Sequence, residues 1–280
     1  MATKIRATSP RYLLSSSYVL WLAGMVASFA FDVPALGRVR RPQARCRLFC
    51  LPFPGAAASG FLPWSDLLPQ EVELCALQLP GREDRFLEPL TTSFSFVVEE
   101  FLGAMAPYTT DLPFGLFGHS GGALLAFELA RQLGAAKLPE PAVLFLSGES
   151  PADAPRQVGR SQLLPDTEFM AWLADRGGLA PEVAENAELM DLLLPVLRAD
   201  FAWYEAYEYE PGPPLPFPVT AFAGRADPVV DVKTVAGWRT HTTERFELLP
   251  IDGAHFFIWD NRGQVVSHIA EALRATETSG

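Results

Sequence analysis

Ser120, Asp227 and His255 are the residues whose types, order and surroundings suit nucleophilic catalysis. Ser120 sits in Gly118-His119-Ser120-Gly121-Gly122, which fits G-x-S-x-G, a motif that carries meaning only where a strand turns into a helix. Taken alone, the five residues also fit a tight turn in which glycine supplies awkward dihedrals. A serine hydroxyl is a poor nucleophile at neutral pH and needs a histidine base oriented by a carboxylate. His255, in "LLPIDGAHFF", and Asp227, in "TAFAGRADPVV", follow Ser120 in the chain order Ser, Asp, His. His119, beside Ser120, is read as a structural hydrogen-bonding group, and His241 and His268 as solvated. Asp200 in "LRADF" belongs to a helical stretch, and Asp252 precedes a glycine turn. An oxyanion formed on attack needs backbone N–H donors. Gly121 is one candidate, and Phe53 in "CLPFPGAAASGF" the other, with Gly55 second, because Pro52 and Pro54 have no N–H.

These residues converge only if a scaffold brings them together. Apolar runs at 47–53, 72–79, 114–117, 142–147, 219–223 and 246–251 read as strands. Helical patterns at 93–106, 123–133, 232–238 and 265–273 lie between most of them. The alternation predicts an α/β fold with a mostly parallel sheet covered by helices on both faces. Ligands of such sheets sit at the carboxyl ends of strands, where Ser120, Asp227 and His255 all fall. From 151 to 217 the alternation stops: no strand appears, and helices are predicted at 166–175, 182–185 and 188–207. This insertion is expected to cover the strand ends as a lid. Its Phe169, Trp172, Leu193, Leu194, Leu197, Phe201 and Trp203 offer either an acyl-binding lining or ordinary core.

At 280 residues and 49% hydrophobic, the chain has the material for one large α/β domain. Cys46, Cys50 and Cys75 lack metal-type spacing, and the four histidines are scattered, so neither metal nor cofactor is called for. Residues 1–47 hold eight basic side chains and one acidic one; removing them from totals of 22 and 33 leaves 14 and 32, a formal charge of −18. Such a body repels nucleic acid and anionic membranes. Lys4, Arg6 and Arg11 precede an uncharged run over 18–31, and an Arg-rich stretch follows it. This resembles a signal joined to a transit peptide, as in proteins sent to complex plastids. Residues 1–45 are therefore expected to lie outside a catalytic domain at 46–277, as a leader for an organelle or secretion. Retained as an anchor, the 20-residue uncharged stretch 12–31 would instead bring the protein to a membrane; without either role the protein is expected in the cytoplasm.

From about 47 to 275 the chain resembles the type II thioesterases of polyketide, nonribosomal peptide and fatty acid synthesis. The likeness rests on "LFCLPFPGAAAS", "LQLPGREDR", "FGHSGGALLAFELAR", "LPDTEFMAWLADRGG", "ELMDLLLPVLRADF", "GPPLPFPVTAFAGRADPVV" and "GAHFFI". "LPGREDR" and "LRADF" are more telling than G-x-S-x-G, since no generic fold demands them. The resemblance implies an α/β-hydrolase that releases acyl groups from the phosphopantetheine arm of a carrier protein, with Ser120, Asp227 and His255 as its triad. It also marks two departures. Pro54-Gly55-Ala56 stands where the family usually has Ala-Gly-Gly, and Gly121 stands where it usually has Met or Leu, which is expected to widen the pocket. Arg82 or Arg85 is expected either to pair locally on the surface or to meet the phosphate of the carrier arm. A general carboxylesterase or lipase with the same triad, and a carrier-binding protein without turnover, are the rival functions.

Overall fold

The structure, a computed structural model, describes residues 30–155 and 159–277. Its strands are β1 (Ala30–Val33), β2 (Leu36–Val39), β3 (Cys46–Leu51), β4 (Val72–Leu77), β5 (Phe114–His119), β6 (Val143–Ser147), β7 (Val219–Gly224) and β8 (Phe246–Ile251). They form one sheet in the order β1-β2-β4-β3-β5-β6-β7-β8, antiparallel across β1, β2 and β4 and parallel from there on. Strands β3 to β7 are buried along their whole length, which is why they read as continuous apolar runs.

Helices α1 (Phe94–Met105) and α2 (Gly121–Ala135) pack on one face, in a core with Phe49, Leu116, Leu144 and Trp238. Helix α8 (Arg262–Glu277) and the 3-10 turn Ala58–Trp64 cover the other, around Phe61, Trp64, Phe117 and Phe145. Ser93 starts α1 by accepting a hydrogen bond from Phe96 N–H at 3.2 Å, one of the donors a helix leaves unsatisfied. Helix α2 begins two residues before the predicted start, because Gly121 and Gly122 form its first turn.

The insertion is helical: α3 (Asp166–Asp175), α4 (Pro181–Ala184) and α5 (Ala187–Glu205). Phe169, Leu173, Val183, Met190 and Leu197 make a small core of its own. The last turns of α5 leave that core, and Trp203 is fully buried in the main one. Short helices α6 (Val232–Val235) and α7 (Phe257–Asp260) follow β7 and β8.

The expectation that residues 1–45 stand outside the fold fails for 30–39. Strand β2 pairs with β4 from Leu36 opposite Leu77 to Val39 opposite Leu74, and Leu36 is fully buried. Arg38 grips both oxygens of Glu73 at 2.8 and 2.9 Å. These strands were missed because "AFDV" and "LGRV" are short, interrupted by a turn, and sit beside an apolar run that reads as a leader. The leader or anchor itself, over 1–29, lies outside the described residues. Among the described residues no helix is long and apolar enough to cross a membrane.

Candidate active site

Ser120 stands between β5 and α2 with φ 50° and ψ −130°, a left-handed conformation that costs a non-glycine residue energy. The turn is locked by Ser120 N–H donating to Ser147 O at 2.7 Å and Ala123 N–H donating to Ser120 O at 2.8 Å. It is also very tight: a β-carbon on Gly118 would lie 1.9 Å from Gly122 O, and one on Gly122 would lie 2.8 Å from Leu51 O. The outer glycines of G-x-S-x-G are therefore required by close approach of backbone.

His255 follows β8 and Asp227 follows β7. His255 Nδ1 lies 2.8 Å from Asp227 Oδ2, and both side chains are almost wholly buried. Asp227 Oδ1 accepts the N–H groups of Val229 and Val230 at 2.7 and 3.2 Å, which fixes the carboxylate's rotation. Ser120 and His255 line one cavity of about 760 Å3 without a hydrogen bond between them. Asp200 and Asp252 play no part in this pairing: Asp200 is buried against Arg82, and Asp252 pairs at the surface with Arg225 at 3.1 Å.

Gly121 is the first residue of α2, where a helix leaves its N–H without an intrahelical acceptor. In the facing loop, Gly55 N–H donates to Asp200 Oδ2 at 2.8 Å and Ala56 N–H to Phe53 O at 2.8 Å. With Pro52 and Pro54 lacking the group, Phe53 carries the uncommitted N–H of residues 52–56, and Gly55 is not available as a donor.

His119 is fully buried, its Nδ1 3.0 Å from Ser147 Oγ and its ring 5.0 Å from that of His255. Burial first, and the nearby His255 charge second, hold its pKa well below the ordinary value. A second cation is thus kept away from His255. His241 is not solvated but 6% exposed, with Nε2 2.9 Å from Asp153 Oδ1 and its ring among Phe127, Tyr209 and Trp238. His268 is half-buried, near Phe222. The rings of Phe127 and Tyr209 that cover His241, and that of Phe222 beside His268, come from distant segments.

The cavity lies beneath the insertion. Trp172, Leu173 and Phe201 line it, as do Phe53, Val229, Val230 and Phe256 from the body. Phe169, Leu193, Leu194 and Leu197 are instead packed within the insertion's own core. Gly121 does not widen the cavity, contrary to the expectation. A β-carbon there would lie 2.7 Å from Pro54 Cδ and 2.8 Å from Tyr204 Cδ2, so the space is already taken. The Tyr204 hydroxyl donates to Glu149 Oε2 at 2.8 Å within the same lining. A hollow of about 890 Å3 between α1, α2 and the 213–217 segment contains no triad candidate.

Arg82 and Arg85 neither pair at the surface nor reach the cavity. The Arg82 guanidinium is buried on Asp200 at 2.6 and 2.7 Å. Arg85, 4% exposed, is engaged by Glu88, Glu100 and Gln78 O. The arginines that line the cavity are Arg160, which no motif marked, and Arg176, which lies in "LPDTEFMAWLADRGG" but to which the sequence assigned no role. Among the described residues neither has a carboxylate partner; Arg176 lies 4.0 Å over the Trp172 ring and donates to Trp172 O at 3.1 Å.

Residues 46–273 match the family described as thioesterase domain. The chain is 37% identical over 231 residues to the gramicidin S biosynthesis protein GrsT of Aneurinibacillus migulanus, covering 82% of this chain and 90% of that one. It is similar to the solved type II thioesterase BorB from the borrelidin biosynthetic cluster, with TM-score 0.79, 32% identity, and coverage of 87% and 99%. It is likewise similar to ClbQ from the colibactin NRPS/PKS pathway, with TM-score 0.80, 28% identity, and coverage of 85% and 100%. An α/β-hydrolase sheet, a serine on a strained turn and a match over most of the chain agree: this chain belongs to the thioesterase family, as a type II thioesterase that hydrolyses acyl thioesters.

Proposed function

We propose that Ser120, His255 and Asp227 are the triad of this thioesterase, and that its substrates are acyl groups on the phosphopantetheine arm of a carrier protein, removed for editing or release. The observation that carries the reading is the 2.8 Å pairing of His255 Nδ1 with Asp227 Oδ2 in the cavity that Ser120 lines. Asp227 holds the imidazole with Nδ1 protonated, leaving Nε2 as base. Ser120 Oγ attacks the thioester carbon while Nε2 takes its proton. The oxyanion is met by the N–H groups of Gly121 and Phe53. The tetrahedral adduct collapses with cleavage of the C–S bond, and the imidazolium returns its proton to the departing sulfur. Water, deprotonated by Nε2, then attacks the acyl-serine, and the proton passes back to Ser120 Oγ. The missing Ser120–His255 hydrogen bond is a contact that substrate closes, since such bonds are often long before substrate binds.

The carrier part of the reading is supported by Arg160 and Arg176. In a body of formal charge −18, two guanidiniums without carboxylate partners in the catalytic cavity suit the phosphodiester at the head of the arm.

The test compares an acyl-carrier protein, the same acyl group on N-acetylcysteamine, and its p-nitrophenyl ester. Turnover of both thioesters by the wild type, its loss in Ser120→Ala, and a raised KM for the carrier alone in Arg176→Ala are expected. Faster cleavage of the oxygen ester would favour the carboxylesterase rival, and turnover retained by Ser120→Ala would remove the nucleophile.

A further inference from the structure

Asp200 is 1% exposed, on the part of the insertion that reaches the main core, and four donors converge on its carboxylate. Arg82 Nη1 and Nη2 donate at 2.6 and 2.7 Å, Gly55 N–H at 2.8 Å and Trp203 Nε1 at 3.2 Å. Arg82 Nη1 also donates to Ala56 O at 3.1 Å. One ion pair thus holds an N–H and a carbonyl of the same turn, gripping Gly55 through the acid and Ala56 through the base. That turn is closed by Ala56 N–H on Phe53 O and carries Gly55 at φ 83°. Its uncommitted N–H is that of Phe53.

A buried ion pair is weak evidence for stability, because the desolvation of two charges offsets their attraction, and apolar replacements are often as stable. What this pair does beyond stability follows from where its bonds go. The pair joins the loop after β3 to α5, 145 residues further along the chain, directly from Gly55 to Asp200 and from Ala56 through Arg82. We infer that Arg82 and Asp200 are positioning residues that set the oxyanion hole by pinning the 53–56 turn to the lid helix, so that the hole is formed only while the end of α5 is seated. This rests on Phe53 as an oxyanion donor. It gives "LPGREDR" and "LRADF" a shared role: the two segments supply the halves of one clamp.

Asp200→Asn keeps the shape but turns an amide N–H₂ toward the guanidinium; Arg82→Lys keeps the charge but loses the two-pronged contact. The double variant Arg82→Met/Asp200→Leu removes both charges together and guards against a variant that fails to fold. Each is assayed on an acyl-N-acetylcysteamine for kcat and KM. Each is also titrated with a trifluoromethyl ketone that forms a tetrahedral adduct on Ser120, and with the matching unreactive amide. A donor displaced by about 1 Å is worth on the order of 100-fold. The expected result is kcat lowered about 10- to 100-fold, KM within about 2-fold, ketone affinity lowered in parallel, and amide affinity unchanged. Ketone affinity retained in the folded double variant, or a loss shared equally by ketone and amide, would overturn the clamp while leaving the triad intact. A wild-type enzyme that forms no ketone adduct would instead overturn the triad assignment.

Discussion

His119 Nε2 is buried and makes no hydrogen bond, a rare condition for a ring nitrogen and one that only the neutral form tolerates at modest cost. Its pKa is depressed in the folded protein, chiefly by burial, from an ordinary 6.5 that the unfolded chain regains. The sign follows: stability from this group is complete above pH 6.5 and is lost as pH falls below it, because the unfolded chain takes up a proton the folded one refuses. Urea unfolding at pH 7, 6 and 5 is expected to show this loss at up to about 1.4 kcal/mol per pH unit. His119→Gln should flatten the slope between 6.5 and 5, and equal slopes would place the sensitivity elsewhere. Motif, chain order and flanking strands singled out Ser120, Asp227 and His255, and the pairing of His255 with Asp227 beside the cavity that Ser120 lines was legible to that extent, because residue types and their order are what sequence displays. Asp200 as a clamp was not legible, since its partner lies 118 residues away and nothing local reports a buried ion pair. Nor could Gly121 reveal that Tyr204 fills the space its missing side chain leaves.

Helix α5 is two devices in one element. Its first half packs Met190, Leu193 and Leu194 into the insertion's core, whereas Asp200 and Trp203 tie its second half to the body. Between them stands Pro195, exposed and inside the helix, where it has no N–H for the carbonyl one turn back. Arg198 then fastens the second half to Gln162 O, Leu164 O and the Asp166 carboxylate. This joint stands within the lid's own core, which Leu197 and Phe201 continue, and just ahead of Asp200, where the contacts with the body begin. Pro195→Ala should restore the missing bond and stabilise the protein by up to about 3 kcal/mol. If bending at this joint admits substrate, kcat/KM for long acyl groups falls more than for acetyl. A thermal melt and a chain-length series check both, and an unchanged Tm would mean that the helix bears no strain at Pro195. The helices of the lid were readable from periodicity, from Pro165-Asp166 as a start and from Pro211 as a stop; the division of α5 was not, since both halves are equally apolar in sequence.

At the scale of the molecule, the family match beginning at residue 46 and the sheet beginning at residue 30 imply different boundaries. Without β2, strand β4 becomes the edge, and its "VELCAL" backbone would stand open to pair with other chains. Leu36 and Ala35, now buried, would be gone, and Glu73, 2% exposed, would keep Arg47 at 2.7 Å but lose Arg38. The hydrogen bond from Gln78 N–H to Ala35 O would be lost too. Gln78 is also bound to Ala58 N–H through Oε1 at 2.6 Å and to Glu83 through Nε2 at 2.9 Å. Disturbance at this edge therefore reaches the loop that leads into the site. A chain starting at residue 46 should lose on the order of 3 kcal/mol from side-chain burial alone, roughly 6–12 °C in Tm for a domain of this size. It should also self-associate in light scattering, whereas a chain starting at residue 30, which keeps β1 and β2, should retain the higher Tm and show no such self-association. Equal melting of the two shortened chains would show that β1 and β2 merely lie against the sheet, and the catalytic unit would then begin where the family match begins.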